Sequence, residues 1–350
     1  MTHQLSPAID AKHWDAAVIT SLPNVRYLTG FTGSNAIVLA LADKLILFTD
    51  PRYTIQAGQE FSGRTVIAKG PLENALKKWL SRMGHIAFEN ETIRYQSQLA
   101  IAAMLPKQAQ MEGMGPLVEE LRMVKRPDEI EKIRKAVQIN SQAFAVSMKR
   151  FKVGMTERDL AAEIEYQMRK LGAEKPAFET IVAFGEHSAL PHAHPRNAKI
   201  EGNGLLLIDM GAFWSGYASD MTRVVHLGNP PQKTKAHYRA VLESLEAAEA
   251  SVRPGVAAKK VDAVARQVLR THAMDKLFTH STGHGLGLEI HEPPRVGRKM
   301  NTKLCAGMTI TIEPGAYRQG EQGVRIEDTI LVTETGAEIL TCTSKEMLVL

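Results

Sequence analysis

Short apolar runs alternate with amphipathic segments in the first third of the chain. Residues 16–20 form a brief apolar run, and residues 35–41 and 44–49 are two β-rich runs that flank Ala42–Asp43, which predicts a β-hairpin. Residues 72–83 then carry apolar side chains at the spacing of one helix face. This alternation predicts a small α/β domain.

The pattern changes after residue 122. Pro127 begins a long segment whose apolar residues recur at helical steps, with acidic residues in its first turn. Thr156 begins a second such segment with residue types typical of a capping box. We therefore expect two domains, residues 1–122 and residues 123–350.

The second domain contains an internal repeat. Residues 204–209 are an apolar run that ends in a carboxylate, and residues 307–313 have the same character. Residues 220–225 likewise resemble residues 327–332, again with a leading carboxylate. The repeat predicts two helix-plus-hairpin halves, each of which supplies two acidic side chains at corresponding places.

The four carboxylates are arranged in pairs. Asp209 and Asp220 lie symmetrically about the peptide bond between positions 214 and 215, and Glu313 and Glu327 lie symmetrically about a three-residue loop with glycine at its centre. Each pair is therefore expected to face across an antiparallel ladder. Carboxylates in that position repel one another unless a cation lies between them, so the pattern predicts a metal site.

Histidines supply further candidates. His284 lies in a glycine-rich segment four positions after His280, and the glycines favour a loop over the helix of a zincin. Four carboxylates with one histidine ligand favour Mn²⁺, Co²⁺, Fe²⁺ or Zn²⁺. For His192 and His291, spacing alone leaves a functional role and an ordinary loop histidine equally open.

Composition narrows the class of protein. The chain is 44% hydrophobic and 23% charged with a net charge of +5, which is ordinary for a globular protein. No Lys/Arg run exceeds two residues, so we expect no nucleic-acid partner. Neither a signal peptide nor a membrane-spanning run is apparent, which predicts a cytoplasmic protein without a membrane partner. Cys305 and Cys342 are expected to be buried thiols in the core.

These motifs together resemble the proline-specific metallopeptidases of family M24, the Xaa-Pro aminopeptidases and prolidases of the pita-bread fold. Residues 27–35 and 49–53 also resemble the first domain of the shorter aminopeptidase P-like members. Ser281 and Met210 depart from the usual residues of the family at positions that are not ligands. The resemblance in the second domain rests on Phe178–Gly185, Ser188–His192, Ile208–Gly211, Gly216–Arg223, His280–Glu292, Glu313–Gly315 and Gly323–Asp328.

The resemblance implies an α+β protein, in which a small α/β domain precedes a pita-bread catalytic domain with an internal two-fold repeat. It implies two divalent metal ions per subunit (Mn, Co or Zn). Glu313 is implied to transfer a proton, and His192 and His291 are implied to be catalytic as well. His280, Arg295 and Arg325 are implied to contact substrate, Arg325 also orienting the carboxylates. The implied metal ligands are Asp209, Asp220, His284, Glu313 and Glu327.

The implied activity is that of an Xaa-Pro aminopeptidase, in which a hydroxide between the metals attacks the bond before proline in a peptide. A prolidase that cleaves only dipeptides remains an alternative, because Arg295 could bind the carboxylate of a dipeptide. A metal-free creatinase-like hydrolase and a non-catalytic peptide-binding module are less favoured, since both are expected to lack the ligand set. Relatives are commonly dimers, so the resemblance also implies a homodimer.

Overall fold

The computed structural model describes residues 3–350. Residues 1 and 2, which begin the first expected domain and its N-terminal segment, lie outside the described part. The chain divides into two compact units, Met1–Arg122 and Met123–Leu350. Within residues 3–350, no helix combines the length and the apolar character needed to cross a bilayer.

The first unit is built on one six-stranded mixed sheet. Its strands lie in the order β4-β3-β2-β1-β5-β6. The strands are β1 (Ala16–Ile19), β2 (Ala36–Leu41), β3 (Lys44–Thr49), β4 (Arg64–Ile67), β5 (His85–Phe88) and β6 (Gln110–Gly113). The helices are α1 (Ser6–Lys12), α2 (Leu22–Thr29), α3 (Thr54–Glu60), α4 (Leu72–Leu80), α5 (Tyr95–Ala102) and α6 (Leu117–Met123), the last of which ends at the boundary.

The spacing of hydrophobic residues accounts for this sheet and for the helix α4 that packs against it. Leu41 pairs with Lys44 across a two-residue turn, so the predicted hairpin is confirmed. Helix α4 places Leu72, Leu76 and Leu80 in one core with residues of the strands. These positions are each four apart, which places them on one face of the helix.

The second unit contains four helices and fourteen strands in several small sheets. The helices are α7 (Pro127–Arg150), α8 (Glu157–Lys170), α9 (Gln232–Ser251) and α10 (Ala258–Thr271). The strands of its first half are β7 (Lys175–Pro176), β8 (Ile181–Phe184), β9 (Gly204–Met210), β10 (Ala212–Trp214), β11 (Tyr217–Ala218) and β12 (Met221–Leu227). Those of its second half are β13 (Gly283–Gly285), β14 (Glu292–Val296), β15 (Thr309–Ile312), β16 (Gly315–Arg318), β17 (Gln322–Arg325), β18 (Asp328–Val332), β19 (Ala337–Ile339) and β20 (Leu348–Val349).

Two sheets of this unit correspond to the two halves of the predicted repeat. One has the strand order β20-β12-β9-β8 and the other β14-β13-β15-β18-β19. Leu206 and Ile208 of β9 pack in a core with α7 and α8, while Leu205 and Leu207 pack in a second core with α9 and α10. Strand β9 is therefore buried on both faces, which explains its uninterrupted apolar run.

Corresponding turns repeat the same backbone geometry. Gly154 donates its N–H to the carbonyl of Ile200, and Gly255 donates its N–H to the carbonyl of Leu304. Both glycines have a positive φ, 94° and 83°, just before the helices α8 and α10. A residue with a side chain is strained in that region, so glycine stands at the same point of both halves.

The turn of the first hairpin differs from the sequence expectation by one residue. Ser215 and Gly216 form the turn between β10 and β11, with φ values of 50° and 77°. Positive φ at both central residues is typical of a type I′ turn. In the register of β9 and β12, Asp209 pairs with Thr222, so the prediction that it faces Asp220 was wrong.

The second hairpin has the predicted register. Gly320 lies at the centre of the loop that joins β16 to β17, and its φ is 75°. The ladder of β15 and β18 continues the same register on the other side. Glu313 and Glu327 therefore lie opposite one another in the gap between the two ladders.

Both cysteines are exposed, so the prediction of core thiols was wrong. Cys305 follows the buried Leu304 and begins the turn before β15, while Cys342 follows Leu340 and Thr341, which are both buried. Their apolar neighbours along the chain are buried, but the two thiols lie at loop positions between them.

Candidate metal centre

Five predicted side chains converge from strand ends of the second unit. Asp209 lies near the end of β9, and Asp220 immediately precedes β12. His284 is the central residue of β13, Glu313 follows β15, and Glu327 lies between β17 and β18. Each acidic residue therefore lies at one end of a buried strand, as the sequence pattern indicated.

His284 lies close to three of the four carboxylates. Nε2 of His284 lies 3.6 Å from Oδ2 of Asp220 and 3.7 Å from Oε1 of Glu313. One ligand atom each from Asp220, His284 and Glu327 can be chosen so that all three lie within 4.8 Å of one another. This spacing is suitable for a divalent cation bound by oxygen and nitrogen.

The tautomer of His284 supports the same interpretation. Its Nδ1 lies 3.0 Å from the carbonyl oxygen of Gly285, so Nδ1 carries the donated hydrogen. Burial lowers the pKa of His284 to about 4, so the ring is neutral at neutral pH. The lone pair of Nε2 is thus directed at the oxygen atoms of Asp220 and Glu313, and a cation would turn that repulsion into attraction.

The carboxylates are buried without enough partners of their own. Oδ1 of Asp209 and Oδ1 of Asp220 are both buried and accept no hydrogen bond within the described residues. Burial, and then the charge of Glu327, hold the pKa of Asp220 well above its usual range. Burial likewise raises the pKa of Glu327, and it raises that of Glu313 to about 8. Such unsatisfied acceptors fit divalent cations.

Arg325 connects the two halves of this centre. Its Nη2 donates to Oδ2 of Asp209 at 2.5 Å, and its Nε donates to Oγ1 of Thr222 at 3.1 Å. Thr222 in turn donates to Oε2 of Glu327 at 2.7 Å. Its Nη1 donates to the hydroxyl of Tyr317 and to the carbonyl of Pro191. These bonds support an orienting role for Arg325, which also lines the cavity beside the carboxylates.

A cavity of about 890 Å³ opens beside the carboxylates. The predicted residues His192, His280, His291 and Arg295 all line it. The ring of His291 lies edge-on to that of His284 with centroids 4.4 Å apart. Arg295 is exposed, and its Nε donates to Oγ of Ser281 at 2.7 Å. All the side chains that the sequence predicts for the site therefore line this one cavity.

Sequence reasoning missed Tyr317 and Thr222. The hydroxyl of Tyr317 lies 2.9 Å from Nε2 of His280 and accepts a hydrogen bond from Arg325. Burial raises the pKa of Tyr317 to about 12, so the phenol stays protonated. Tyr317 lies outside the motifs, and Thr222 lies within Gly216–Arg223 without a predicted role, because each acquires its role only from partners that folding brings to it.

Comparison with known proteins agrees with this geometry. The profile described as metallopeptidase family M24 matches residues 131–334, and that of the creatinase/prolidase N-terminal domain matches residues 2–124. The Xaa-Pro dipeptidase of Pyrococcus furiosus is 45% identical over 239 residues, 68% of this chain and 69% of the relative.

Two solved structures extend the similarity over the whole chain. X-Pro aminopeptidase from Thermotoga maritima has a TM-score of 0.91 and 37% identity, covering 97% of this chain and 98% of that one. Xaa-Pro dipeptidase from Bacillus anthracis has a TM-score of 0.95 and 35% identity, covering 99% and 98%. The predicted fold class, an α/β domain followed by a pita-bread domain, is confirmed.

Proposed function

Because the chain belongs to metallopeptidase family M24, we propose that it hydrolyses the bond between the first residue and a following proline in short peptides. The observation that carries this proposal is the neutral His284 set against the buried carboxylates of Asp220 and Glu327, of which Oδ1 of Asp220 accepts no hydrogen bond within the described residues. These groups border a cavity whose other walls carry His192 and His291.

We assign the metal ligands as Asp209, Asp220, His284, Glu313 and Glu327, for two divalent cations of the Mn, Co or Zn type. Cations held there would supply a Lewis acid for the scissile carbonyl and a nucleophile at neutral pH. The protein's own contribution begins with Arg325 and Thr222, whose hydrogen bonds hold Asp209 and Glu327 in fixed orientations.

His192 and His291 act on the substrate. The proline nitrogen carries no hydrogen in an Xaa-Pro bond, so the site cannot hold it through an N–H, and like any amide nitrogen it needs a proton when the amine leaves. Burial lowers the pKa of His291, which keeps its ring neutral and able to donate one N–H. We assign the two histidines to the developing oxyanion and the leaving nitrogen.

Glu313 is the candidate for proton transfer. Its carboxylate borders the cavity, with Oε1 3.7 Å from Nε2 of His284, and from there it can take a proton and pass it on. His280, whose Nδ1 lies 4.0 Å from Oε2 of Glu313, lines the same cavity and is assigned to substrate contact. Its position is stabilised by the hydroxyl of Tyr317.

Dipeptides are the substrate length that we now favour. The sequence favoured longer peptides, but the Pyrococcus furiosus and Bacillus anthracis relatives are both named Xaa-Pro dipeptidase. The exposed guanidinium of Arg295 at the cavity could pair with the carboxylate of a dipeptide. Cleavage of longer peptides is the second candidate, supported by the similarity to an X-Pro aminopeptidase.

Metal removal and reloading test the activity. The metal-stripped protein is expected to be inactive and to recover hydrolysis of Ala-Pro on addition of Mn²⁺, Co²⁺ or Zn²⁺. Asp220→Asn is expected to lose bound metal and turnover together, whereas Asp275→Asn, a matched change at the last turn before β13, is expected to keep both. Full metal content and full activity in Asp220→Asn would refute the ligand assignment.

Arg295→Gln tests the substrate length. If Arg295 pairs with the carboxylate, the variant loses about ten- to a hundredfold in kcat/KM for Ala-Pro and little for Ala-Pro-amide. Arg298→Gln, a nearby exposed arginine, is the matched control. Equal losses on both substrates, with ready cleavage of Ala-Pro-Ala by the unchanged protein, would favour the aminopeptidase instead.

The remaining alternatives make different predictions. A creatinase-like hydrolase would work after metal removal, and a peptide-binding module would bind Ala-Pro without cleaving it. The expected homodimer is a further proposal, which light scattering of the full chain would test. A monomer at working concentration would contradict it.

A further inference from the structure

The segment that carries His192 is a long connection between strands. It begins after β8 at Gly185, includes a short 3₁₀ turn over Gly185–Ala189, and continues past Arg196. His192 itself is exposed at the cavity and makes no hydrogen bond among residues 3–350. Its ring is therefore positioned by the backbone of this loop rather than by a side-chain partner.

One carboxylate joins the two ends of the loop. Glu157, at the start of α8, accepts the backbone N–H of Phe184 at Oε1 and the backbone N–H of Arg196 at Oε2, each at 2.9 Å. The guanidinium of Arg196 and Nδ1 of His187 also lie within hydrogen-bond distance of it. The side chain of Glu157 has no exposed surface.

Its charge is stabilised in that position. Burial opposes ionisation of Glu157, but hydrogen bonds from Arg196 and from the backbone of Phe184 together bring its pKa below the usual range. Buried carboxylates rarely occur without such a set of donors. Here the donors all belong to the loop, at residues 184, 187 and 196, and none belongs to the metal centre.

The middle of the loop has separate attachments. Ser188 accepts the backbone N–H of Gly323 at 3.0 Å, and the carbonyl of Pro191 accepts a hydrogen bond from Arg325 at 3.1 Å. These two bonds tie the loop to the hairpin that precedes Glu327. Glu157 joins the two ends of the loop. It therefore fixes the distance between the backbone of Phe184 and the backbone of Arg196.

We propose that Glu157 is a positioning residue that acts through His192: by holding Phe184 and Arg196 together it sets the backbone from which His192 reaches the substrate. This inference rests on the proposed peptidase function and on the role given there to His192. It identifies a residue that lies in no motif of the site and contacts neither substrate nor metal ligand.

Glu157→Gln is the informative substitution. The amide has the same shape but only one acceptor oxygen, so either Phe184 or Arg196 loses its acceptor and faces an NH₂ group instead. We expect kcat for Ala-Pro to fall by about ten- to a hundredfold, with KM and bound metal nearly unchanged, because a displaced catalytic group slows the reaction without weakening binding.

A double-mutant cycle shows whether the effect passes through His192. In a His192→Ala background, Glu157→Gln is expected to cost less than about twofold in kcat, since the group it positions is already absent. Glu163→Gln is the matched control, because Glu163 lies on the same helix and pairs with Arg150 and Gln167, away from the loop.

An equal loss in both backgrounds would overturn the proposal, as would loss of metal in Glu157→Gln. If that variant does not fold, Arg196→Met removes only the half-exposed guanidinium and is expected to show a smaller kcat loss with the same dependence on His192.

Hydrogen exchange separates this inference from the proposed function. Even in a protein that cleaves no Xaa-Pro peptide, Glu157→Gln is expected to speed amide exchange in residues 184–196 selectively. Absence of Ala-Pro cleavage by the unchanged protein would therefore refute the proposed function. Unchanged exchange in this loop would refute the positioning role.

Discussion

Removal of metal from this protein should make its stability fall as the pH rises. The group formed by Asp220, Glu313 and Glu327 is buried, and burial raises the pKa of all three carboxyls, that of Glu313 to about 8. In the metal-free folded protein these carboxyls hold protons that the unfolded chain releases. We expect the free energy of unfolding to decrease as the pH rises from about 7.5 through the pKa of Glu313 near 8.

The magnitude follows from the number of protons retained. An unfolded glutamate releases its proton near pH 4.3, whereas folded Glu313 retains it to about pH 8. In the interval the folded state binds one more proton than the unfolded state, and each pH unit costs about 1.4 kcal/mol per such group. With one to three carboxyls protonated, the expected loss is about 1 to 4 kcal/mol per pH unit.

Histidines set the lower limit of this pH window. Burial lowers the pKa of His237, His280 and His284 to about 4. Between that pH and their unfolded pKa, the unfolded chain binds protons that the folded histidines do not, so these groups make stability rise with pH. An unfolded histidine is half protonated near pH 6.5, so the opposing contribution of these groups to the slope fades as the pH rises and is small above about pH 7.5. Only the carboxyls then remain.

Metal loading should reverse the trend. Cations bind the ionised ligands and compete with protons, so the stabilisation by saturating Mn²⁺ is expected to increase with pH. Glu249, whose pKa burial raises to about 8, lies outside the centre and contributes equally with and without metal. The difference between the two curves therefore reports on the centre alone.

Urea unfolding at several pH values is the assay. Trp214 lies in the second unit, and replacement of Trp14 and Trp79 by phenylalanine makes its fluorescence specific for that unit. Glu313→Gln is the control, and it should reduce the metal-free slope by about 1.4 kcal/mol per pH unit. A metal-free stability that stays level or rises between about pH 7.5 and about pH 8 would refute the reasoning.

Two further predictions concern buried ion pairs. Arg325→Lys retains the charge, but a lysine cannot make all four of the hydrogen bonds that Arg325 makes to Asp209 and its neighbours. Metal affinity and kcat should therefore each fall by about ten- to a hundredfold. An increase in KM alone, with metal affinity intact, would indicate a substrate contact. Lys125→Met removes the ammonium group that lies 3.2 Å from Oε2 of Glu292, where both side chains are almost fully buried, and should destabilise the second unit by about 3–5 kcal/mol in urea unfolding. A loss below about 1 kcal/mol would contradict this prediction.

Residues with distinctive chemistry could be predicted from the sequence because their positions are unfavourable without a function. Acidic residues at the ends of buried strands, such as Asp209 and Glu313, are costly unless something compensates for their charge. Repetition of the pattern in both halves made chance occurrence a poor explanation. The structure places these side chains around one centre, and the fold class that the motifs implied is confirmed.

Features that depend on register and on distant partners could not be predicted in the same way. The hairpin was centred one residue early because Asp209 and Asp220 were assumed to face each other. The Ser215–Gly216 dipeptide, with both φ values positive, determines the turn instead. Glu157 has no sequence signal beyond its place in the first turn of a helix, because its donors lie at residues 184 and 196 and reach it only through folding.

The centre also explains why both halves of the repeat are required. Asp209 and Asp220 come from the first half, while His284, Glu313 and Glu327 come from the second. Without cations these groups repel across the junction, and Arg325 offsets only part of that charge. Cations bound there would therefore attract both halves at once, so the same interaction that activates a substrate would also stabilise the pairing of the halves. The pH dependence of the metal-free protein measures the repulsion that remains when that interaction is removed.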